Sequence, residues 1–356
     1  MRFKPLVIGN LTAAVPIIQG GMGIGVSLSN LASAVASCGG IGIISAAQPG
    51  FNEPDFEKDA LAANIRALKR YVSAAREKAP EGIVGVNIMC ALENYPALVK
   101  ASIEGGAQII ISGAGLPTNL PELCKGSDVK LAPIVSSNKA ASVILKVWDR
   151  NYGVTADAVV IEGPEAGGHL GFKENDIAAI DKYTFEQEII QIIKTVKTYE
   201  EKFNKSIPVI MAGGVYTGYD IAHMLKLGAS GVQMSTRFVG THECDASLAY
   251  KNAYINSKKE DIVIVKSPVG MPGRAIKNSF VERTFLGNIK VNKCYRCITK
   301  CNAATTPYCI SKALINAVQG DLDNGLIFCG SNAYRVDKIV SVKELMDDLV
   351  RELSEA

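Results

Sequence analysis

The stretch Ala158-Val-Val-Ile-Glu162-Gly-Pro-Glu-Ala-Gly167-Gly-His169-Leu-Gly171 joins a short apolar run to a glycine-rich segment with a single histidine. An unbroken apolar run is typical of a strand buried on both faces of a parallel sheet. Glycines let backbone approach a flat or phosphorylated ligand, because they carry no Cβ. Histidine is suited to moving protons near neutral pH. Although a lone histidine in a turn is often only structural, this position at a strand end predicts that His169 is catalytic.

Apolar runs alternate with amphipathic helical patterns along most of the chain. Eight such units predict a parallel (β/α)8 barrel of the TIM type, an α/β fold, with a doubly wound open sheet as the alternative. The predicted strands are Pro16–Gln19, Ile41–Ser45, Ile83–Met89, Gln108–Ser112, Leu131–Ser136, Ala158–Ile161, Pro208–Ala212 and Gly231–Ser235. The predicted helices are Ser29–Cys38, Glu57–Lys78, Pro96–Glu104, Lys139–Arg150, Phe185–Phe203, Tyr219–Leu227 and Val342–Glu352. We expect Ser27 or Ser29 to cap the first of these helices, and the Ser136-Ser137-Asn138 triplet to cap the fourth.

The alternation breaks once, between Phe238 and Val340. This pattern predicts a barrel over residues 1–237, an insertion on its catalytic face over 238–340 and a closing helix over 341–356. From Tyr250 to Cys301 there are eleven lysines and arginines against three acidic residues, a net charge of +8 (11 − 3). The simpler explanation of this charge is a solvated basic face. The functional explanation is a surface that attracts a phosphorylated or acidic substrate.

Composition excludes several classes of protein. The 48% hydrophobic content and 33 glycines describe a globular enzyme that binds a small-molecule substrate, and nothing indicates a nucleic-acid or membrane partner. No apolar run is long enough to cross a bilayer, and the first five residues lack a secretory signal, so we expect a cytoplasmic protein. Its nine cysteines are then expected to be reduced thiols or metal ligands. The sequence leaves an oligomer open.

Glycines and small polar residues follow several predicted strands, which indicates a cofactor site. Loops after the seventh and eighth strands usually bind phosphate, so Gly213 and Gly214 with the hydroxyls of Ser235 and Thr236 are the predicted phosphate site. A flat ring would lie against Gly20, Gly21 and Met22, near Asn87 and His169. A phosphate, a flat ring and no GxGxxG motif favour FMN over NAD as the tightly held cofactor.

The motifs Pro16–Met22, Gly85–Met89, Glu162–Gly171, Ala212–Gly218 and Gly231–Phe238 resemble those of the nitronate monooxygenase (2-nitropropane dioxygenase) superfamily. That superfamily also contains FMN-dependent enoyl-acyl-carrier-protein reductases. The resemblance implies an FMN-binding barrel with His169 as catalytic acid or base. The implied flavin contacts, taken together with the site above, are Gly20, Gly21, Met22, Asn87, Glu162, Gly167, Gly168, Gly213, Gly214, Gln233, Met234, Ser235 and Thr236.

Two positions depart from the resemblance to nitronate-oxidising members. Glu162 stands where many of them have glutamine, and a Glu-Gly pair before the EAGGH motif is more like the enoyl reductases. Ser235 stands where relatives often have glycine. The resemblance therefore identifies the superfamily more firmly than the reaction.

Four cysteines, Cys294, Cys297, Cys301 and Cys309, form a C-x2-C-x3-C-x7-C series. Four thiolates at short spacing can hold zinc or an iron–sulfur cluster. The first two spacings are similar to the cluster motif of the iron–sulfur dienoyl reductases, whose last spacing is longer. The sequence leaves two interpretations open, a metal site and four ordinary thiols, and favours neither.

Three functions remain open from the sequence. The first is oxidation of alkyl nitronates, with oxygen reoxidising the flavin, and the resemblance slightly favours it. The second is reduction of an enoyl thioester by NAD(P)H through FMN, in which the basic segment would steer an acyl carrier protein or coenzyme A. The third is a non-catalytic flavin or metal sensor, which the intact EAGGH segment argues against.

Overall fold

The computed structural model describes residues 3–356. Two short strands precede the barrel, β1 (Leu6–Ile8) and β2 (Leu11–Ala13), and they pair antiparallel. Leu6, Ile8 and Ala13 are buried in the cluster of aliphatic side chains that fills the barrel interior. The hairpin therefore closes one end of the barrel with apolar side chains.

The predicted (β/α)8 barrel is confirmed. Eight parallel strands close on themselves in the order β10-β11-β3-β4-β5-β6-β7-β8. They are almost wholly buried, as their unbroken apolar runs predict. The strands are β3 (Ile17–Gln19), β4 (Ile41–Ser45), β5 (Ile83–Met89), β6 (Ile109–Gly113), β7 (Lys130–Val135), β8 (Val159–Glu162), β10 (Val209–Ala212) and β11 (Gly231–Met234).

Helices cover the outside of the barrel, and each predicted helix is present with ends shifted by at most three residues. The outer helices are α1 (Ser29–Ser37), α2 (Ala60–Lys78), α3 (Tyr95–Glu104), α5 (Asn138–Tyr152), α7 (Lys182–Phe203), α8 (Gly218–Lys226) and α13 (Val342–Glu355). Three short helices lie in the loops: α4 (Leu120–Leu123), α6 (Glu174–Ala179) and α9 (Thr236–Val239). None of the described helices is both long and apolar enough to span a membrane.

Of the two predicted helix caps, one is confirmed and the other is wrong. Ser137 caps α5 as expected, since its side chain accepts the backbone N–H of Ala140 at 3.2 Å. The prediction for α1 is wrong, because neither Ser27 nor Ser29 caps it. Asp245 does so instead, and its Oδ2 accepts the N–H groups of Leu28 at 2.7 Å and Leu31 at 3.3 Å.

The segment 238–340 contains strands that sequence patterns did not reveal. Its strands β12 (Ile262–Lys266) and β13 (Pro272–Ile276) form an antiparallel hairpin. A third strand, β9 (Gly168–His169), joins the hairpin from the EAGGH segment, with Gly273 opposite His169. The EAGGH segment is therefore an edge of a small sheet rather than a free loop. The helices of the segment are α10 (Leu248–Ile255), α11 (Ser279–Leu286) and α12 (Ile310–Gln319).

Candidate functional site

A cavity of about 220 Å³ lies at the carboxyl ends of the barrel strands. This is the face where barrel enzymes place their active sites. The predicted catalytic residue His169 lines it, and so does every predicted cofactor contact except Gly20. The lining residues from the prediction are Gly21, Met22, Asn87, Glu162, Gly167, Gly168, Gly213, Gly214, Gln233, Met234, Ser235 and Thr236. Gly20 lies behind them, where its N–H donates to the carbonyl of Met234 at 2.8 Å.

His169 is held from three sides. Strand pairing with Gly273 fixes its backbone, and its Nε2 lies 2.7 Å from the hydroxyl of Ser267, in the turn of the β12–β13 hairpin. Its ring meets the Phe328 ring edge-on, with centroids 5.0 Å apart. Burial lowers the pKa of His169 to about 4, because the positive imidazolium loses hydration there. At neutral pH the ring is therefore uncharged and has one nitrogen free to accept a proton.

The Ser267 hydroxyl has two contacts. Its oxygen accepts the backbone N–H of Val269 at 3.3 Å and faces His169 Nε2. With one oxygen lone pair used by Val269, the hydroxyl proton is available to Nε2. The hydroxyl can donate to Nε2, which places the ring proton on Nδ1, or accept from a protonated Nε2 through its second lone pair, which leaves Nδ1 free to accept a proton.

Glu162 ends strand β8 on the same cavity wall. Burial raises the pKa of its carboxyl group to about 8, since the ionised form loses hydration. Glu162 is therefore largely protonated at neutral pH and can donate a hydrogen bond. The site thus combines an uncharged histidine with an uncharged carboxylic acid.

The backbone after strand β10 is shaped for close approach of a ligand. Gly213 and Gly214 have φ angles of +89° and +82°, in the region that glycine adopts at low cost. A Cβ on Gly214 would come within 2.2 Å of Glu165 Oε2. The first turn of helix α9 begins beside this segment at Thr236. These exposed backbone groups fit the phosphate role predicted for them.

Two further observations fit a flat, polar cofactor such as flavin. The side-chain oxygen of Gln233 is buried against the cavity and has no hydrogen-bond partner among residues 3–356. A buried acceptor without a partner is costly, so a ligand donor would satisfy it. A Cβ on Gly21 would lie 2.4 Å from Asn87 Cβ, so this backbone must remain bare beside the cavity.

Several lining residues were missed by sequence reasoning. Those at strand ends follow from the barrel rule itself and could have been found: Ser45, Met89, Gly113 and Ile134. Those from the segment 238–340 carried no local signal: Tyr250, Tyr254, Met271, Leu314, Phe328, Cys329 and Gly330. Arg274 was also missed; it is buried and donates from its guanidinium to the carbonyl of Ala166, within the EAGGH segment.

The four clustered cysteines lie around a separate cavity of about 190 Å³. All nine cysteines of the chain are free thiols. Burial raises the pKa of Cys297 to about 11, and the neighbouring thiols of Cys309 and Cys301 act in the same direction. Within residues 3–356, no three histidine, cysteine or acidic side chains converge as they would around a single metal ion. Metal binding by Cys294, Cys297, Cys301 and Cys309 therefore stays a prediction.

Comparison with known proteins decides the family. The model of the family described as nitronate monooxygenase matches residues 4–352. The chain belongs to the nitronate monooxygenase family. A probable nitronate monooxygenase of Staphylococcus aureus strain Newman is 29% identical over 294 residues, which is 76% of this chain and 78% of that protein. One from Staphylococcus saprophyticus is 28% identical over 313 residues, which covers 80% and 81%.

Solved structures extend the similarity within this superfamily. FabK from Thermotoga maritima has a TM-score of 0.72 and 28% identity, with 96% of this chain and 93% of that chain covered. A nitroalkane oxidase from Streptomyces ansochromogenes has a TM-score of 0.72 over 96% of both chains, and at 20% identity it shows the shared fold. This member of the nitronate monooxygenase family is an FMN-dependent oxidoreductase that acts on small molecules.

Proposed function

We propose that this enzyme oxidises alkyl nitronates, with FMN bound in the barrel cavity and oxygen as the final acceptor. The observation that carries the proposal is an uncharged His169 fixed on the cavity wall by Ser267. Membership of the nitronate monooxygenase family supports it. Similarity to two probable nitronate monooxygenases is further support.

The cavity residues divide into binding and proton-handling groups. Gln233, Asn87 and the bare backbone at Gly21 would hold the flavin ring, and Gly213 and Gly214 would hold its phosphate. Bound flavin supplies the electron acceptor for the oxidation. His169 would accept a proton from a neutral nitroalkane, or donate a hydrogen bond to the oxygens of a nitronate, from its place above the ring site.

Glu162 suits an anionic substrate because it is protonated. A nitronate carries a negative charge, and an ionised carboxylate on the same wall would repel it. With its pKa raised to about 8, Glu162 presents a neutral hydrogen-bond donor instead. The proposed reaction needs FMN alone and makes no use of the four clustered cysteines.

The second candidate is an NAD(P)H-dependent reductase of enoyl thioesters. Similarity to FabK, at 28% identity over most of both chains, favours it. The basic segment, residues 250–301, would steer an acyl carrier protein or coenzyme A. However, fewer of its positive charges are free on the surface than its composition suggests. Lys251 and Arg274 are buried, and Lys293 pairs with Glu57.

We also propose an organisation and a setting for the enzyme. Residues 1–237 form the barrel, 238–340 an insertion on its catalytic face and 341–356 the closing helix. Cavity residues such as Tyr250 and Phe328, from the middle segment, support this division. Free thiols at all nine cysteines support a reducing, cytoplasmic setting.

Oxygen uptake by a His169→Ala variant tests the proposal. The wild-type enzyme should consume oxygen with freshly prepared propyl-2-nitronate, and H169A should lose about 10²- to 10⁴-fold in kcat while keeping its FMN. His223→Ala is the matched control, since His223 pairs with Glu186 at 2.7 Å and does not line the cavity. Equal turnover in H169A and wild type would contradict a catalytic His169, and no oxygen uptake by the FMN-loaded wild type would favour the sensor interpretation.

A further inference from the structure

The four clustered cysteines share one enclosed space although they come from separate parts of the chain's fold. Cys294, Cys297 and Cys301 lie in an irregular segment, whereas Cys309 is the N-cap residue of helix α12. All four line the same cavity of about 190 Å³. A stretch of 16 residues therefore places four thiols around a single cavity. Four thiols are a ligand set typical of metals that prefer sulfur.

Backbone N–H groups lie near two of these thiols. Arg296 has a φ of +47°, an unfavourable conformation for a residue with a side chain, and its N–H points to Cys294 Sγ at 3.4 Å. At the start of α12, the backbone N–H groups of Ser311 and Lys312 lie near Cys309, although its side chain makes no cap hydrogen bond. Such donors stabilise charge on a metal-bound thiolate and adjust the potential of a cluster.

Four cysteines can bind either a single ion or a cluster, and the two differ in how close the sulfurs must lie. Around one zinc ion, four sulfurs lie about 2.3 Å from the metal and therefore almost touch one another. No three candidate ligands in the described part of the chain converge in this way. In an iron–sulfur cluster the cysteines bind different iron atoms around an inorganic core, so their sulfurs stand apart around a volume. The four cysteines line one cavity of about 190 Å³, which offers space for such a core.

The cysteine cavity also lies next to the flavin cavity. Helix α12 begins after Cys309, and Leu314 on the same helix lines the flavin cavity. Because an α-helix rises 1.5 Å per residue, Leu314 lies about 8 Å along the helix from Cys309. On the other side, Cys297 accepts the N–H of Glu93 at 3.1 Å through its carbonyl. Glu93 lies four residues after Met89, which lines the flavin cavity at the end of strand β5.

We propose that Cys294, Cys297, Cys301 and Cys309 bind an iron–sulfur cluster beside the flavin site. Binding requires all four thiols to lose their protons, and the donors from Arg296 and the start of α12 offset the charge that results. This proposal does not depend on which substrate the flavin oxidises or reduces. A zinc ion at the same cysteines is the competing outcome.

The experiment measures iron, acid-labile sulfide, zinc and FMN in the full-length protein. The protein is purified without air and then incubated anaerobically with iron(II) and sulfide, so that loss of a cluster during purification is reversed. We expect iron and sulfide in equal amounts, about two to four per chain, and an electron paramagnetic resonance signal after reduction with dithionite.

Three variants make the assignment specific. Cys301→Ser and Cys309→Ser should each lower bound iron at least tenfold while FMN content stays at the wild-type level, which shows that the barrel has folded. Cys38→Ser, at the C-terminal end of α1, is the matched control and should retain iron. Iron below about 0.5 per chain after reconstitution (about an eighth of a four-iron cluster or a quarter of a two-iron cluster), one zinc per chain in its place, or full iron in both variants would overturn the proposal.

Discussion

The charge state of Glu162, on the wall of the candidate cavity, changes near neutral pH. Its pKa is raised by burial, so it loses its proton as pH rises through about 8. Below that pH it is neutral beside the substrate; above it, a carboxylate faces an anionic nitronate. Nitronate binding should therefore weaken as the pH increases.

We predict that KM for a nitronate rises at least about fivefold between pH 7 and pH 9, which corresponds to about 1 kcal/mol of repulsion. Glu162→Gln keeps a neutral hydrogen-bonding side chain at every pH and should remove most of this rise. Initial rates measured within seconds of adding preformed nitronate would test it. A parallel rise of KM in wild type and E162Q would show that another group is responsible.

His169 shows what a single residue reveals in sequence and what it does not. Its place after a buried strand, next to glycines, was enough to predict that it lies at the mouth of the barrel. Its uncharged state depends on burial by Phe328 and on a hydroxyl 98 positions further along the chain. Neither contact leaves a pattern in the local sequence.

At the scale of elements, the β12–β13 hairpin determines where His169 points. Strand β9 pairs with β13, and the turn of the hairpin supplies the Ser267 hydroxyl to Nε2. The hairpin therefore positions the imidazole.

We predict that Ser267→Ala lowers kcat by about tenfold, less than loss of the imidazole itself, because the ring can then rotate or change tautomer. FMN content and the melting temperature should stay close to wild type. Ser267→Thr retains a hydroxyl and should restore most of the rate, so full-length protein of each variant is compared by oxygen uptake. A Ser267→Ala enzyme with wild-type kcat at all pH values would rule out a positioning role.

Helix α1 depends on a cap from distant sequence. Asp245 accepts N–H groups at its start, although the residue lies 217 positions after Leu28. The sequence predicted a cap from Ser27 or Ser29. The Ser27 hydroxyl instead accepts the backbone N–H of Met22 at 2.8 Å. Ser137 was predicted correctly because its partner, Ala140, is three residues away.

We predict that Asp245→Ala lowers the free energy of unfolding by about 1–2 kcal/mol, because two N–H groups of α1 lose their acceptor. Asp245→Asn keeps an acceptor oxygen and should cost less than half as much. Urea unfolding of the two variants and wild type, followed by circular dichroism, measures the difference. Equal stability of all three would contradict the capping role.

At the scale of the whole molecule, the barrel was predictable because each of its strands is a local apolar run with a helix after it. Strands such as Ile83–Met89 and Ile41–Ser45 were predicted to the residue. The small sheet of the segment 238–340 was not, since its third strand, β9, comes from the EAGGH segment, far from β13 in the chain. Predicted cofactor residues therefore lie on barrel loops, and the missed residues that left no local signal lie in this segment.

The central claim is that a nitronate itself delivers electrons to the bound flavin. Anaerobic mixing of the FMN-loaded enzyme with propyl-2-nitronate, followed by flavin absorbance, tests it most directly. We expect rapid bleaching by the nitronate, recovery of absorbance when air is admitted, and slow bleaching in H169A. An enzyme that nitronate leaves oxidised, but that NADH or NADPH bleaches and an enoyl thioester restores, would contradict nitronate oxidation and establish the reductase.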